Sequence, residues 1–248
     1  MRKIVLSLIF LLAISLSVFS QYSSDKPTSY EKTLRMGFQL SPSLSWMATD
    51  DNAINGNGVN VGMRLGMMGE YYFRENYAFI SGINFAFNQG GTLKHEEGGN
   101  LWSKSELSDS ALAALPDGVN LKYHIQYIEV PFGLKMRTKE FGYVRYFAEI
   151  PLFSLGVKVQ ARGDIKGTGR QDVGRENIKK DVNLFNLNWG FCGGIHYTLS
   201  EDTEFIGGLY YQQGFADITD NKATKTSGDR EDSKGIIKGI TLRIGILF

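Results

Sequence analysis

The chain has one cysteine, five prolines and three histidines in 248 residues, and each scarcity removes a class of protein. Cys192 alone forms no intramolecular disulfide, so an exported chain of this size must be held by its sheet and not by covalent staples. His95, His124 and His196 lie in separate segments at no spacing that suits a metal or catalytic centre, so no metal and no cofactor are expected. No serine sits in a nucleophile elbow, and Gly163 to Gly169 imitates a phosphate loop without the following helix that such a loop requires. The formal charge is +1, and −1 without Arg2 and Lys3, which gives no basic field for nucleic acid.

Long apolar runs are also scarce. The single one, Ile4 to Phe19 behind Met1-Arg2-Lys3, has the order of an export signal, with a small-residue cleavage site at Val18-Phe19-Ser20 before Gln21. It is short for a bilayer span, and no second helical span follows. Residues 1–20 are therefore read as a signal peptide, 21–32 as a polar leader, and 33–248 as one domain.

That domain is rich in alternation and in glycine, of which there are 29. Met36, Phe38, Leu40, Leu44 and Trp46 share one strand face, and Arg35, Gln39, Ser41, Ser43 and Ser45 share the other. Val59 to Phe73 repeats the pattern, and six more segments follow at about 77–88, 121–137, 143–160, 184–198, 204–215 and 236–248. The connections alternate strictly. Those near 74–76, 138–142 and 200–203 are short; those at 47–58, 89–120, 161–183 and 216–235 are long and polar. Short turns alternating with long loops describe an all-β, eight-stranded, antiparallel up-and-down barrel in a membrane, the short turns periplasmic and the long loops extracellular.

Face polarity agrees. Arg35, Arg64, Glu70, Glu129, Lys135, Arg145, Glu149 and Arg243 lie on the polar faces, which puts them in the lumen as a charge network with lipid outside. Two aromatic girdles are expected. One holds Tyr71, Tyr72, Phe73, Tyr77, Tyr143, Tyr197 and Phe205, the other Trp46, Phe87, Tyr123, Phe185 and Tyr211. A turn centred near Lys139 or Glu140 sets Glu129 across from Pro151 and Glu149 across from Pro131, and a change of apolar phase between Tyr127 and Ile128 suggests a bulge there. Two adjacent carboxylates suit general acid/base work, but the nearby cations favour a buried structural network in a lumen too narrow for a water-filled channel.

In the loops, Ser108 to Leu115 reads as a short capped helix stopped by Pro116, with Leu107, Ala111, Leu112 and Leu115 on one side, packed on the rim or offered to a partner. The loop from Arg162 to Asp181 is charged surface that could meet lipopolysaccharide phosphates.

Four features together resemble the PorT-like outer-membrane β-barrel family of Gram-negative bacteria. They are the export signal, Tyr127-Ile-Glu-Val-Pro-Phe-Gly-Leu-Lys135, Gly190-Phe-Cys-Gly-Gly-Ile-His-Tyr197 and the closing Ile244-Gly-Ile-Leu-Phe248. The resemblance implies an OmpA-like eight-stranded barrel in the outer membrane, with no catalytic residues to carry over. The sequence reading is a monomeric, non-enzymatic barrel with a structural or loop-mediated role, whose partners are outer-membrane lipid, lipopolysaccharide and the barrel-assembly machinery. Phe248 is expected to serve that machinery as an assembly signal. An accessory barrel of type IX secretion, a narrow pore and a small lipid-modifying enzyme are the alternatives.

Overall fold

A computed structural model describes residues 33–167, 169, 172–220 and 222–248; the signal peptide and leader expected at 1–32 lie outside the described residues. The strands in chain order are β1 (Leu34–Thr49), β2 (Ile54–Arg74), β3 (Tyr77–His95), β4 (Gly99–Asn100), β5 (Asn120–Arg137) and β6 (Val144–Lys166). Then come β7 (Val173–Asn177), β8 (Phe185–Ser200), β9 (Thr203–Gly214), β10 (Thr224–Lys225) and β11 (Gly235–Leu247). Eight of them form a ring in the order β5-β3-β2-β1-β11-β9-β8-β6, closed by β5 against β6. β11 meets β1 with Leu247 opposite Gly37 and Gly239 opposite Ser45. Beyond its end, Phe248 and Met36 exchange N–H···O bonds of 2.8 and 3.1 Å.

Alternation assigns the faces. In β1 and β2, Phe38, Leu40, Leu44, Val61, Leu65 and Met67 are exposed on the outer wall, while Arg35, Gln39, Ser41, Ser43, Arg64 and Glu70 are buried inside. This is the arrangement of a barrel standing in lipid.

The strands run well beyond lipid. β6 has 23 residues, which at about 3.3 Å per residue and a tilt of about 40° climb roughly 58 Å, against an apolar band about 25 Å tall. The long loops expected from the sequence are accordingly shorter. The first, expected at 47–58, is only the turn between Thr49 and Ile54, because above the membrane β1 keeps pairing with β11 as far as Thr49 and β2 pairs with β3 from Ile54 onward. The second and third lose their ends to β3 and β6, and β7 pairs with β6 where β8 has stopped.

Inside this raised portion the barrel inverts. On β5, Leu121, Tyr123, Ile125 and Tyr127 point inward and are buried, while Lys122, His124 and Gln126 face out. Farther down the same strand Glu129 and Lys135 point inward, and Ile128, Val130, Phe132, Leu134 and Met136 face out. The strand never changes face; its surroundings change from water outside to lipid outside. That is the physical cause of the phase change between Tyr127 and Ile128. A register shift does occur at Gln126/Tyr127, yet inward and outward residues alternate through it.

The β5–β6 register differs from the expected one. Glu129 faces Gly156, Pro131 faces Ser154, and Glu149 faces Lys135. The connection is longer than a tight turn at Lys139, being closed by an N–H···O pair between Phe141 and Val144, and the ladder is interrupted around Pro151, which has no N–H to give. The two glutamates are thus not juxtaposed as expected.

Above the lipid a water-type core closes the barrel. Trp102, Leu112, Leu115, Val119, Ile178, Val182, Ile218 and Ala223 from the connections pack on Met47, Leu93, Leu121, Tyr123 and Ile237 of the strands. Trp102 meets Tyr123 edge-on at 5.7 Å between ring centroids and donates to its hydroxyl at 3.1 Å. The expected helix at 108–115 is one 3₁₀ turn, Ser110–Ala113, capped by Asp109; Leu112 and Leu115 are buried and Ala111 is exposed. Leu112 and Leu115 anchor this crown and are not a free ridge.

Candidate functional site

The lumen below the crown is filled by charge. Lys135, with its side chain 1% exposed, sits between Glu70, which it contacts closely, and Glu149 at 3.3 Å. Arg243 completes Glu149 at 2.5 Å. Arg64 pairs with Glu129 at 2.9 Å and donates to Thr241 and Gln89 at 2.6 and 2.9 Å. Toward the periplasmic end Arg35 meets Glu204 at 2.5 Å, and Arg145 bridges Glu204 and Glu140 at 3.0 Å each. All eight inward charges named from the sequence therefore stand on the lumen side, but in two groups. Arg64–Glu129 forms the upper one; Glu70, Lys135, Glu149 and Arg243 form the centre of a lower one that reaches Arg35 and Arg145 through Glu204 and His196.

Sequence reasoning did not name Glu204, His196, Tyr72 or Glu140 for this network. His196 Nδ1 lies 2.6 Å from Glu204, and its Nε2 is 4.0 Å from Glu70, which links the two parts. Tyr72 donates its hydroxyl to Glu70 at 2.5 Å, and the Arg137 guanidinium lies 4.0 Å from the Tyr72 ring centroid. Tyr72 and Tyr123 were expected in the aromatic girdles; both are buried inside, because their strand positions share parity with Glu70 and Leu121. A parity count along β9, where Ile206, Tyr210 and Gln212 are buried, would have found Glu204.

The charges pair because the barrel wall encloses them. Glu70, Glu129, Glu149 and Glu204 are each 1–3% exposed, and an uncompensated charge there costs several kcal/mol. Small gaps of about 20 Å³ lie beside Glu70, Glu149 and Arg243 and beside Ser41, Ser154 and Tyr210, each with room for about one water. Cys192 is buried beside Arg243 and Glu149.

The crown is pinned by its own polar contacts. Asp181 accepts the Lys104 N–H at 2.9 Å and the Ser105 hydroxyl, and Glu176 accepts the Ser108 N–H at 2.9 Å. Lys158 reaches up to the carbonyl of Lys179 at 2.5 Å and to that of Val182. Burial pushes the Asp181 carboxyl above its usual range, whereas the Ala53 N–H draws that of Asp51 below it. Gly163 lies against Trp102, where a Cβ would come within 2.3 Å of the indole. The three histidines stand apart: His95 buried at the top of β3, His124 outside on β5, His196 in the lumen. Among the described residues no cluster of three His, Cys, Asp or Glu side chains is arranged to hold a metal ion.

No curated protein sequence matches the chain. The structure is similar to Neisserial surface protein A at 10% identity and a TM-score of 0.41, covering 87% of this chain and 96% of that one. It is similar to Ail, the attachment invasion locus protein of Yersinia pestis, at 12% identity and a TM-score of 0.39, covering 88% and 100%. OprG from Pseudomonas aeruginosa gives 10% identity, a TM-score of 0.34 and coverage of 86% and 93%. The family model for the outer membrane protein β-barrel domain matches residues 19–220. With that match over most of its length and a closed ring of eight strands, the chain belongs to the outer-membrane protein β-barrel family and resides in the outer membrane of a Gram-negative bacterium.

Proposed function

We propose that this barrel is a closed, monomeric, non-catalytic protein whose extracellular crown presents a binding face to another macromolecule. The observation that carries the reading is the filling of the interior at two levels, by paired charges in the lower lumen and by the Trp102–Tyr123 core above. A pore has no use for such a plug. An enzyme of this architecture needs polar groups open to solvent, and the lumen carboxylates are paired and enclosed. The ordered crown is the part of the chain that meets the outside.

In-cell crosslinking from crown positions tests this reading. A specific protein or glycan adduct, lost when residues 97–117 are replaced by a short glycine linker, is expected. Recovery of the barrel-assembly machinery alone from both proteins contradicts it.

The finer likeness, to the PorT-like family, rests on Tyr127–Lys135, whose Glu129 and Lys135 are both members of the lumen groups. A role as an accessory barrel of type IX secretion predicts loss of protein export on deletion of the gene. Normal export in the deletion strain rejects that role.

A further inference from the structure

The outer wall of β3, β5, β6 and β7 carries cations just above the point where it stops being apolar. Lys94, Lys122, Arg162, Lys166 and Arg175 all lie on the solvent side there. The register brings them together: Arg162 faces His124, Lys122 faces Asp164, and Lys166 faces Asn120, which in turn faces Lys94. Of the two carboxylates in these strand segments, Glu176 turns inward to Ser108. Asp164 is engaged by the Arg175 N–H at 2.9 Å and by His124 at 3.0 Å. The other nitrogen of His124 lies 2.5 Å from Asn88 Oδ1, which ties β3, β5 and β6 together under the patch. Among the described residues Lys94, Lys122 and Lys166 have no salt-bridge partner, and the one hydrogen bond of Arg162 uses a single Nη1–H, to the Arg175 carbonyl at 3.1 Å.

Directly below on the same wall are Ile128, Val130, Leu155, Val157 and Val159, all exposed. Val159 is three residues from Arg162, or about 8 Å of height at the strand rise and tilt of such barrels, which is the depth of a headgroup layer. The wall of β1, β9 and β11 carries one outward cation in its paired region, Lys238. The patch is therefore one-sided, at headgroup height, and continuous with an acyl-binding surface.

We propose that this wall is a docking site for a phosphorylated glycolipid of the outer leaflet, lipopolysaccharide, with its phosphates on Lys122 and Arg162 and its acyl chains along Ile128 to Val159. Arginine receives phosphate through a two-pronged hydrogen bond, and several cations held on a rigid sheet suit a ligand with more than one phosphate. The site is separate from the crown face, and its test does not depend on that reading.

Native mass spectrometry of the full-length folded barrel in detergent, with diphosphoryl lipid A as probe, reads the site. Lipid A is expected to stay bound to wild type and to Lys238→Gln, and to bind about tenfold more weakly to the Lys122→Gln/Arg162→Gln double variant. Fully dephosphorylated lipid A is expected to show the same loss on wild type. Either single variant, expected to lose about threefold, replaces the double variant if that protein fails to show the folded barrel's heat-modifiable mobility. Retention by the double variant within twofold of wild type overturns the proposal. So does equal retention of phosphatidylglycerol, which would mean general attraction of anionic lipid, and so does full displacement by millimolar inorganic phosphate, which would make soluble phosphate the ligand.

Discussion

Lys135 and Glu149 face each other directly across β5 and β6, 3.3 Å apart, with both side chains 1% exposed. A pair so enclosed is held by mutual need, since neither charge can turn to water. Replacing Lys135 by Met leaves Glu70 with Tyr72 and the more distant His196, and Glu149 with Arg243, to compensate them. The variant is expected to lose about 3–5 kcal/mol of stability, measured by urea unfolding in lipid vesicles. Adding Glu70→Gln to it is expected to restore a large part of that loss.

The crown and the barrel are expected to separate energetically. Trp102→Ala removes a fully enclosed ring against Tyr123 and Gly163, at a cost of about 3–5 kcal/mol to the crown. Trypsin then cuts near Lys104 while the membrane-embedded barrel keeps its heat-modifiable mobility. Gly163→Val is expected to give the same cleavage, because its side chain occupies the place of the indole.

These two layers were not equally legible in the sequence. The alternation from Met36 to Trp46 specifies a half-buried strand, and the strand count, chain order and closure of β11 on β1 follow from such segments and their turns. The switch at Tyr127 was not legible as what it is. Inward tyrosines and outward isoleucines leave the same mark on a strand as a bulge does, and only the raised core, assembled from Trp102, Leu112, Ile178 and Ile218, tells them apart. The β5–β6 register was missed because it depends on how many residues the turn takes up and on the break at Pro151. Glu204 went unnamed because it stands at the very start of β9, one residue from the turn, where alternation has barely begun.

Asp181 gives the crown a pH dependence of known sign. Burial raises its carboxyl above the ordinary 3.8, opposed by the Ser105 and Lys104 hydrogen bonds. A carboxyl raised on folding opposes the folded state when ionised, so the penalty is full above the raised value and fades as pH falls toward 3.8. Unfolding of the crown, followed by Trp102 emission in a Trp46→Phe/Trp189→Phe background, is expected to show wild type gaining on Asp181→Asn as pH is lowered from about 7 to about 4. A constant difference between the two proteins across that range contradicts the assignment.

Phe248 ties the closing seam through two backbone hydrogen bonds to Met36 and a ring contact of 6.0 Å with Phe38. Its deletion is expected to lower the heat-modifiable fraction in the outer membrane several-fold at equal synthesis. An unchanged fraction means that assembly does not read this residue.

The central claim, a barrel closed by charge below and by an apolar crown above, is tested most directly by single-channel recording of the purified protein in a planar bilayer. The account predicts no steady opening in the nanosiemens range; a stable conductance of that size from the wild-type barrel contradicts it.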